Sequence, residues 1–199
     1  MIYWVSRSFC ALLLKIFFGL KVTGRKHVPA HGGFILACNH VSFLDPVVAG
    51  VGCPRPLHYM ARQTLFKNIF FGTCLTHLNT FPVKRDSADI ASLREAMRRV
   101  RLGEGLLVFP EGTRKKEGIS GRTKGGAGFL ASKLGVPIVP VYIQGTEKAL
   151  PRGKKFPRLS KITVRFGSRI TVPQGVSYEE ASMRVMDAVR KLSGGSSST

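Results

Sequence analysis

Apolar positions along the chain come in two patterns: short unbroken runs, and longer stretches in which they recur at helical spacing. The runs predict six strands, at 34–38, 57–60, 80–83, 106–109, 138–143 and 162–166. The longer stretches predict helices at 46–51, at 65–78 with the cluster Phe66, Ile69, Phe70 and Phe71, at 88–102, at 126–134, and from 177 to just before Ser193. Local signals set several ends. Asp86 or Ser87 can cap the third helix, Gly103 and Gly135 stop the third and fourth, and Ser177 with Glu180 has capping-box spacing. Alternation of the two patterns is that of an α/β domain. Pro140 interrupts the donors of an apolar strand, which restricts that strand to a sheet edge or an irregular ladder.

Residues 1–20 are as hydrophobic as a signal or a membrane span, but Arg7 and Lys15 break the run. On a wheel of roughly 100° per residue, Arg7, Ala11, Trp4, Lys15, Ser8 and Gly19 share one narrow face with Phe18. Ile2, Val5, Phe9, Leu12, Leu13, Ile16, Phe17 and Leu20 form a broad apolar remainder. A span would place both cations in hydrocarbon at about 2.5–3.5 kcal/mol each. The expectation is therefore a helix lying in the headgroup plane, its cations beside lipid phosphates. The competing reading is a helix packed on the domain's own core.

A chain of 199 residues fits one domain, and 44% apolar residues supply a core. This divides the sequence into a membrane-interfacial helix at 1–20, an α/β domain at 21–192 and a flexible tail, SGGSSST, at 193–199. The 31 Lys and Arg against 11 Asp and Glu give a net charge of +20, which points to polyanionic partners, either nucleic acid or an anionic membrane. The chain lacks a zinc-finger spacing, an RNP-like aromatic pair and a basic recognition helix, so a nucleic-acid-binding module is only the remote alternative. The basic run 151–158 is a candidate for part of a docking face. Cys10, Cys38, Cys53 and Cys74 form no CxxC pair and read as free thiols of a reducing compartment.

Four pieces carry candidate chemistry. After the first run comes Asn39-His40-Val41-Ser42-Phe43-Leu44-Asp45, a His and a carboxylate on one strand-to-helix loop. An imidazole takes a proton from a hydroxyl when a carboxylate holds its other nitrogen. After the fourth run comes Phe109-Pro110-Glu111-Gly112-Thr113-Arg114, whose guanidinium fork matches phosphate oxygens. Phe81-Pro82-Val83-Lys84-Arg85 ends a strand in two cations, and Val139-Pro140-Val141 is the proline-bearing strand.

Taken in order, these pieces resemble the motifs of the glycerolipid acyltransferase family, specifically the 1-acylglycerol-3-phosphate acyltransferases, over roughly residues 21–172. Asn39-His40 with Asp45 is similar to the family's NHxxxxD motif, Phe109 to Arg114 to its third motif, Phe81 to Arg85 to its second and Val139 to Val141 to its fourth. Two departures stand out: Asn79 replaces a usual Gly, although Asn tolerates positive φ, and Thr123 precedes Lys124-Gly125 where an aromatic is common.

The resemblance implies a single α/β domain with a mixed β-sheet flanked by helices, behind an N-terminal amphipathic helix. It implies transfer of a fatty acyl group from a thioester of coenzyme A or acyl carrier protein to the free hydroxyl of 1-acylglycerol 3-phosphate, giving phosphatidic acid. Glycerol 3-phosphate or another lysolipid is the alternative acceptor. Neither cofactor nor metal is required. His40 would be the base and Asp45 its orienting partner. Arg114 and Arg85 would hold the acceptor phosphate, and Glu111, Gly112 and Thr113 would shape the glycerol site, with Lys84 and Lys124 as further candidates. A backbone N–H near Gly112 or Val141 would meet the oxyanion. The implied partners are the lysophospholipid, the acyl thioester, an anionic membrane surface and acyl carrier protein, at the cytoplasmic face of the cell membrane as a peripheral or monotopic protein.

Overall fold

A computed structural model describes residues 2–84, 89–110, 126–154, 156–173 and 175–194. Chain order is α1 (Ile2–Phe18), β1 (Lys21–Thr23), a 3-10 turn (Arg25–His27), β2 (Phe34–Cys38), α2 (Asp45–Gly52), β3 (Leu57–Arg62), a second 3-10 turn (Gln63–Phe66), α3 (Ile69–His77), β4 (Thr80–Val83), α4 (Ile90–Arg101), β5 (Gly105–Val108), α5 (Gly126–Leu134), β6 (Ile138–Gln144), α6 (Thr146–Ala149), β7 (Thr163–Phe166) and α7 (Tyr178–Lys191). The strands form one mixed sheet of seven in the order β1-β7-β6-β2-β5-β3-β4, with only β6 and β7 antiparallel.

β2 lies at the centre, buried at all five positions, and its alternating side chains serve two cores. Phe34, Leu36 and Cys38 face the layer of α1 and α2, while Ile35 and Ala37 face that of α4, α5 and α7. α5 and α7 pack closely because Gly128 has no side chain: an added Cβ would strike the Tyr178 carbonyl.

The six predicted strands are present, and the differences from the sequence reading have local causes. The stretch 65–78 is not one helix. Asn68 adopts extended backbone and its side chain accepts from the Phe71 N–H at 3.0 Å, capping α3 and separating it from the preceding 3-10 turn. α4 begins at Ile90, where Asp89 caps it by accepting from Ser92 N at 3.1 Å. Asp86, Ser87 and Ala88 lie outside the described residues. β6 is interior, so Pro140 falls under the second of its two allowed settings. Ile138 exchanges two bonds with Ile170 and the Pro140 carbonyl accepts from Gly167 at 2.8 Å, so the missing donor sits where the β6–β7 ladder is interrupted. Asn79 has φ 59°, as its place in a motif that usually carries Gly suggested. Ser177 caps α7 through the Glu180 N–H at 3.1 Å, while the Glu180 carboxylate accepts from Arg184 at 2.8 Å. β1 was missed because three residues with only Val22 apolar give no periodic signal.

α1 combines the two readings of residues 1–20. Tyr3, Arg7, Cys10, Leu14 and Phe18 turn toward the domain, whereas Ile2, Val5, Phe9, Leu12, Ile16 and Phe17 are exposed. Arg7 is the correction. It does not join Lys15 on an outer strip beside lipid phosphates; it donates inward to the carbonyls of Gly50 (3.1 Å), Val51 (3.2 Å) and Cys53 (2.8 Å). Arg25 takes the remaining carbonyl, Gly52, at 2.9 Å. Thus two guanidinium groups satisfy four consecutive acceptors at the C-terminal end of α2 and oppose its negative dipole end. Arg7→Leu would strand three of those carbonyls, and a loss of about 2–4 kcal/mol is expected in denaturant unfolding, with Arg7→Lys intermediate.

At the opposite end of the sheet from the loop bearing Asp45, His58 on β3 is buried. Its Nε2 lies 2.8 Å from a Glu104 carboxylate oxygen and its Nδ1 3.3 Å from Arg99. Burial outweighs the attraction of Glu104, and Arg99 opposes protonation further, so His58 titrates below its ordinary range. The unfolded chain therefore takes up this proton first on acidification. Stability should rise with pH up to about 6.5 and be lost as pH falls below it, and His58→Gln should flatten that slope relative to the parent in unfolding measured from pH 7 to 5.

Candidate functional site

Because β6, β2 and β5 are adjacent parallel strands, the segments leaving their carboxyl ends meet at one edge of the sheet. β2 leads into Asn39 and His40, β5 into Phe109, and β6 into Gly145 and Thr146. Asn39 locks the first to the third: its amide donates to the Ile143 carbonyl and accepts from the Ile143 N–H, both at 2.8 Å.

Asp45, the first residue of α2, is wholly buried and placed where the helix dipole favours an anion. Its Oδ2 accepts from the Val41 and Ser42 N–H groups at 2.7 Å each and contacts His40 Nδ1 at 3.0 Å. Its Oδ1 accepts from the Thr146 hydroxyl at 2.6 Å. Surrounded by donors, the carboxylate is the acceptor in the His40 contact, which puts the imidazole hydrogen on Nδ1 and leaves a lone pair on Nε2. The ring stacks on Phe109 at 3.9 Å between centroids and 18° between planes. Ser42 Oγ donates to the Leu150 carbonyl at 2.9 Å and accepts from Leu44 N at 3.3 Å, fixing the loop between His40 and Asp45.

An oriented imidazole whose Nε2 is unbonded among the described residues can, in its neutral form, remove a proton from a hydroxyl. Beside it, Phe109 also lines an apolar groove of about 370 Å³ that runs between α1, α2 and α3, past Phe43, Val47, Leu75 and Tyr59.

His40 and Asp45 are thus brought together as the spacing implied. Lys84 follows β4 with an exposed side chain, and its N–H donates to Asp89 at 2.7 Å. Arg85, Glu111, Gly112, Thr113, Arg114 and Lys124 lie outside the described residues. Val141, beside which the resemblance implies an oxyanion donor, is buried within β6, in register with Cys38 and Phe166. Sequence reasoning missed Thr146, the bidentate role of Asn39 and the stacking of Phe109. A Gly-Thr pair directly after a strand was the available signal for Thr146.

The Acyltransferase family model matches residues 19–144. A 1-acyl-sn-glycerol-3-phosphate acyltransferase of Bacillus subtilis is 35% identical over 74% of this chain and 76% of its own length. A chloroplastic 1-acyl-sn-glycerol-3-phosphate acyltransferase of Brassica napus is 27% identical over 77% of this chain and 45% of its own. Among solved structures, the 1-acyl-sn-glycerophosphate (LPA) acyltransferase PlsC of Thermotoga maritima superposes with a TM-score of 0.73 at 25% identity, covering 96% of this chain and 83% of that one. With His40 and Asp45 paired at the sheet edge and the family match spanning most of the sequence, the chain belongs to the acyltransferase family.

Proposed function

We propose that the protein transfers a fatty acyl group from an acyl thioester to the free hydroxyl of 1-acylglycerol 3-phosphate, giving phosphatidic acid. The observation that carries this reading is the buried His40–Asp45 pair, in the family's motif spacing, beside an apolar groove. His40 Nε2 accepts the acceptor's hydroxyl proton as that oxygen attacks the thioester carbonyl. The carbon–oxygen ester bond forms, the carbon–sulfur bond breaks, and the proton passes from the imidazolium to the departing thiolate. Asp45 stabilises the transient cation and holds the ring, and Thr146 holds Asp45. No acyl-enzyme is needed, since the nucleophile belongs to the acceptor.

The groove beside Phe109 has the composition for an acyl chain, and coenzyme A or acyl carrier protein would carry the donor. Arg114, assisted by Arg85, is assigned to the acceptor phosphate, Glu111, Gly112 and Thr113 to the glycerol, and Lys84 and Lys124 to weaker contacts. The exposed apolar side of α1 supports peripheral attachment to an anionic membrane at the cytoplasmic face. Among the described residues no helix is long and apolar enough to cross a membrane.

His40→Ala should abolish turnover in a variant that still folds, with a lowered melting temperature because the buried Asp45 carboxylate loses one donor, and Asp45→Asn should lower kcat by about 1,000-fold, because an amide cannot stabilise an imidazolium. Thr146→Val, which removes one bond to the carboxylate, should cost about tenfold in kcat. Turnover of a folded His40→Ala variant at the parent rate would exclude the assignment. Arg114→Lys should raise the acceptor KM by about tenfold or more and leave the donor KM unchanged, because a point charge loses the paired contact. Steady-state kinetics with each substrate varied in turn separates the two.

A further inference from the structure

The loop 150–161 leaves the site and returns to it. Its first residue supplies the carbonyl that Ser42 Oγ bonds at 2.9 Å, and it follows directly on α6, whose Thr146 holds Asp45. At its far end the Lys161 carbonyl presses on Gly145, where an added Cβ would strike it. The next residue, Ile162, donates to the Phe18 carbonyl at the end of α1 at 3.0 Å. Arg158 N closes the base of the loop on the Ala149 carbonyl at 2.7 Å. One foot of the loop is therefore bonded to Ser42, whose N–H holds Asp45, the other packs on Gly145 beside Thr146, and the residue that follows it bonds the end of α1.

Between the feet, Phe156 is 82% exposed and Leu159 78% exposed. Arg152, Lys154, Arg158 and Lys161 are exposed around them, and the sequence holds no Asp or Glu from Lys148 to Tyr178. Two protruding apolar side chains are far too small an area for a stable protein interface, which takes about 800 Å² from each partner. They suit a fluid apolar layer that closes around each side chain, beneath a plane of phosphates that receives the cations. A nucleic acid would use the charge but would leave Leu159 without a role.

We propose that this loop is a second membrane contact, separate from the exposed side of α1, in which Phe156 and Leu159 enter the acyl boundary of an anionic bilayer while Arg152, Lys154, Arg158 and Lys161 meet lipid phosphates. The inference rests on the reading of the protein as a lipid acyltransferase and gives that enzyme a contact fixed to the segments that position its catalytic pair. Attachment through α1 alone would leave the site free to tilt about the helix; a contact rooted at Gly145 and Leu150 holds the site edge to the lipid plane.

The test uses the full chain with vesicles of phosphatidylcholine, with and without phosphatidylglycerol, and duplex DNA as a third arm. Phe156→Ser/Leu159→Ser should weaken partition onto phosphatidylglycerol-containing vesicles by about tenfold. Replacing Arg152, Lys154 and Arg158 by Gln should weaken it by at least as much and abolish the preference for the anionic vesicles. Both variants should keep the parent's turnover on a short-chain, water-soluble lysophosphatidate and lose turnover on a long-chain acceptor in vesicles. A Trp4→Phe/Phe156→Trp variant should show a blue-shifted emission quenched by bromine-labelled lipid. Unquenched emission, or vesicle partition of the Ser variant within about twofold of the parent, would overturn the proposal, as would a loss of DNA retention without a loss of vesicle binding. Absence of short-acceptor turnover in the parent would instead reject the enzymatic reading, which keeps the two failures apart.

Discussion

A carboxylate with no exposed surface must have its oxygens occupied by donors, and the Asp45 side chain meets that demand with partners from three directions. Two are backbone N–H groups of its own loop, one is the imidazole of His40, and one is a hydroxyl that arrives from β6, more than a hundred residues later in the sequence. Remove the sheet neighbours and the anion cannot stay buried; remove the anion and the loop after β2 loses the acceptor that shapes it. The central position of β2 follows from this requirement, since only a strand flanked on both sides can have Phe109 and Thr146 delivered to its carboxyl end.

α2 extends that constraint across the molecule. It is short, its first residue is Asp45, and its last three carbonyls and that of Cys53 just after it are held by Arg7 and Arg25. A helix of two turns gains little from its own hydrogen bonds, so its position is set by what grips its ends. One end is gripped by the site and the other by α1, whose outward side exposes Ile2, Val5, Phe9, Leu12, Ile16 and Phe17. The catalytic pair and the proposed lipid-facing helix are thereby two ends of one rigid connection.

Much of this was legible in the sequence where a local rule is strong. Apolar runs located the six longer strands, Gly135 and Ser177 marked helix ends, and the spacing of His40 and Asp45 identified a pair whose geometry the fold then supplies. What could not be read were partnerships that depend on folding. Arg7 looks like an interfacial cation on a helical wheel, and only the approach of α1 to α2 turns it into a cap. Asn68 and Asp89 act as caps because each has an N–H three residues ahead within reach of its side chain, a match that shows only once the backbone is in place. Pro140 gave a correct alternative, an edge or a broken ladder, but the choice between them belongs to the partner strand β7 and its Gly167.

The inward turn of Arg7 also changes how the net charge of +20 should be understood. A helix presented to lipid with a cation on its apolar side would carry a desolvation cost that the attraction of surface phosphates offsets only if the side chain reaches the headgroups. By placing that guanidinium on main-chain carbonyls within the protein, the fold leaves the outward face of α1 apolar, with Lys15 exposed near its end. The positive charge available to a membrane is then concentrated elsewhere, and the acid-free segment from Lys148 to Tyr178, anchored at Gly145 and Leu150, carries a dense share of it next to the reacting groups. The apolar outer side of α1 and the basic loop with its two exposed apolar side chains are separated in the chain but joined by the bond from Ile162 to the Phe18 carbonyl, so the two proposed lipid contacts are held in one fixed relation to each other.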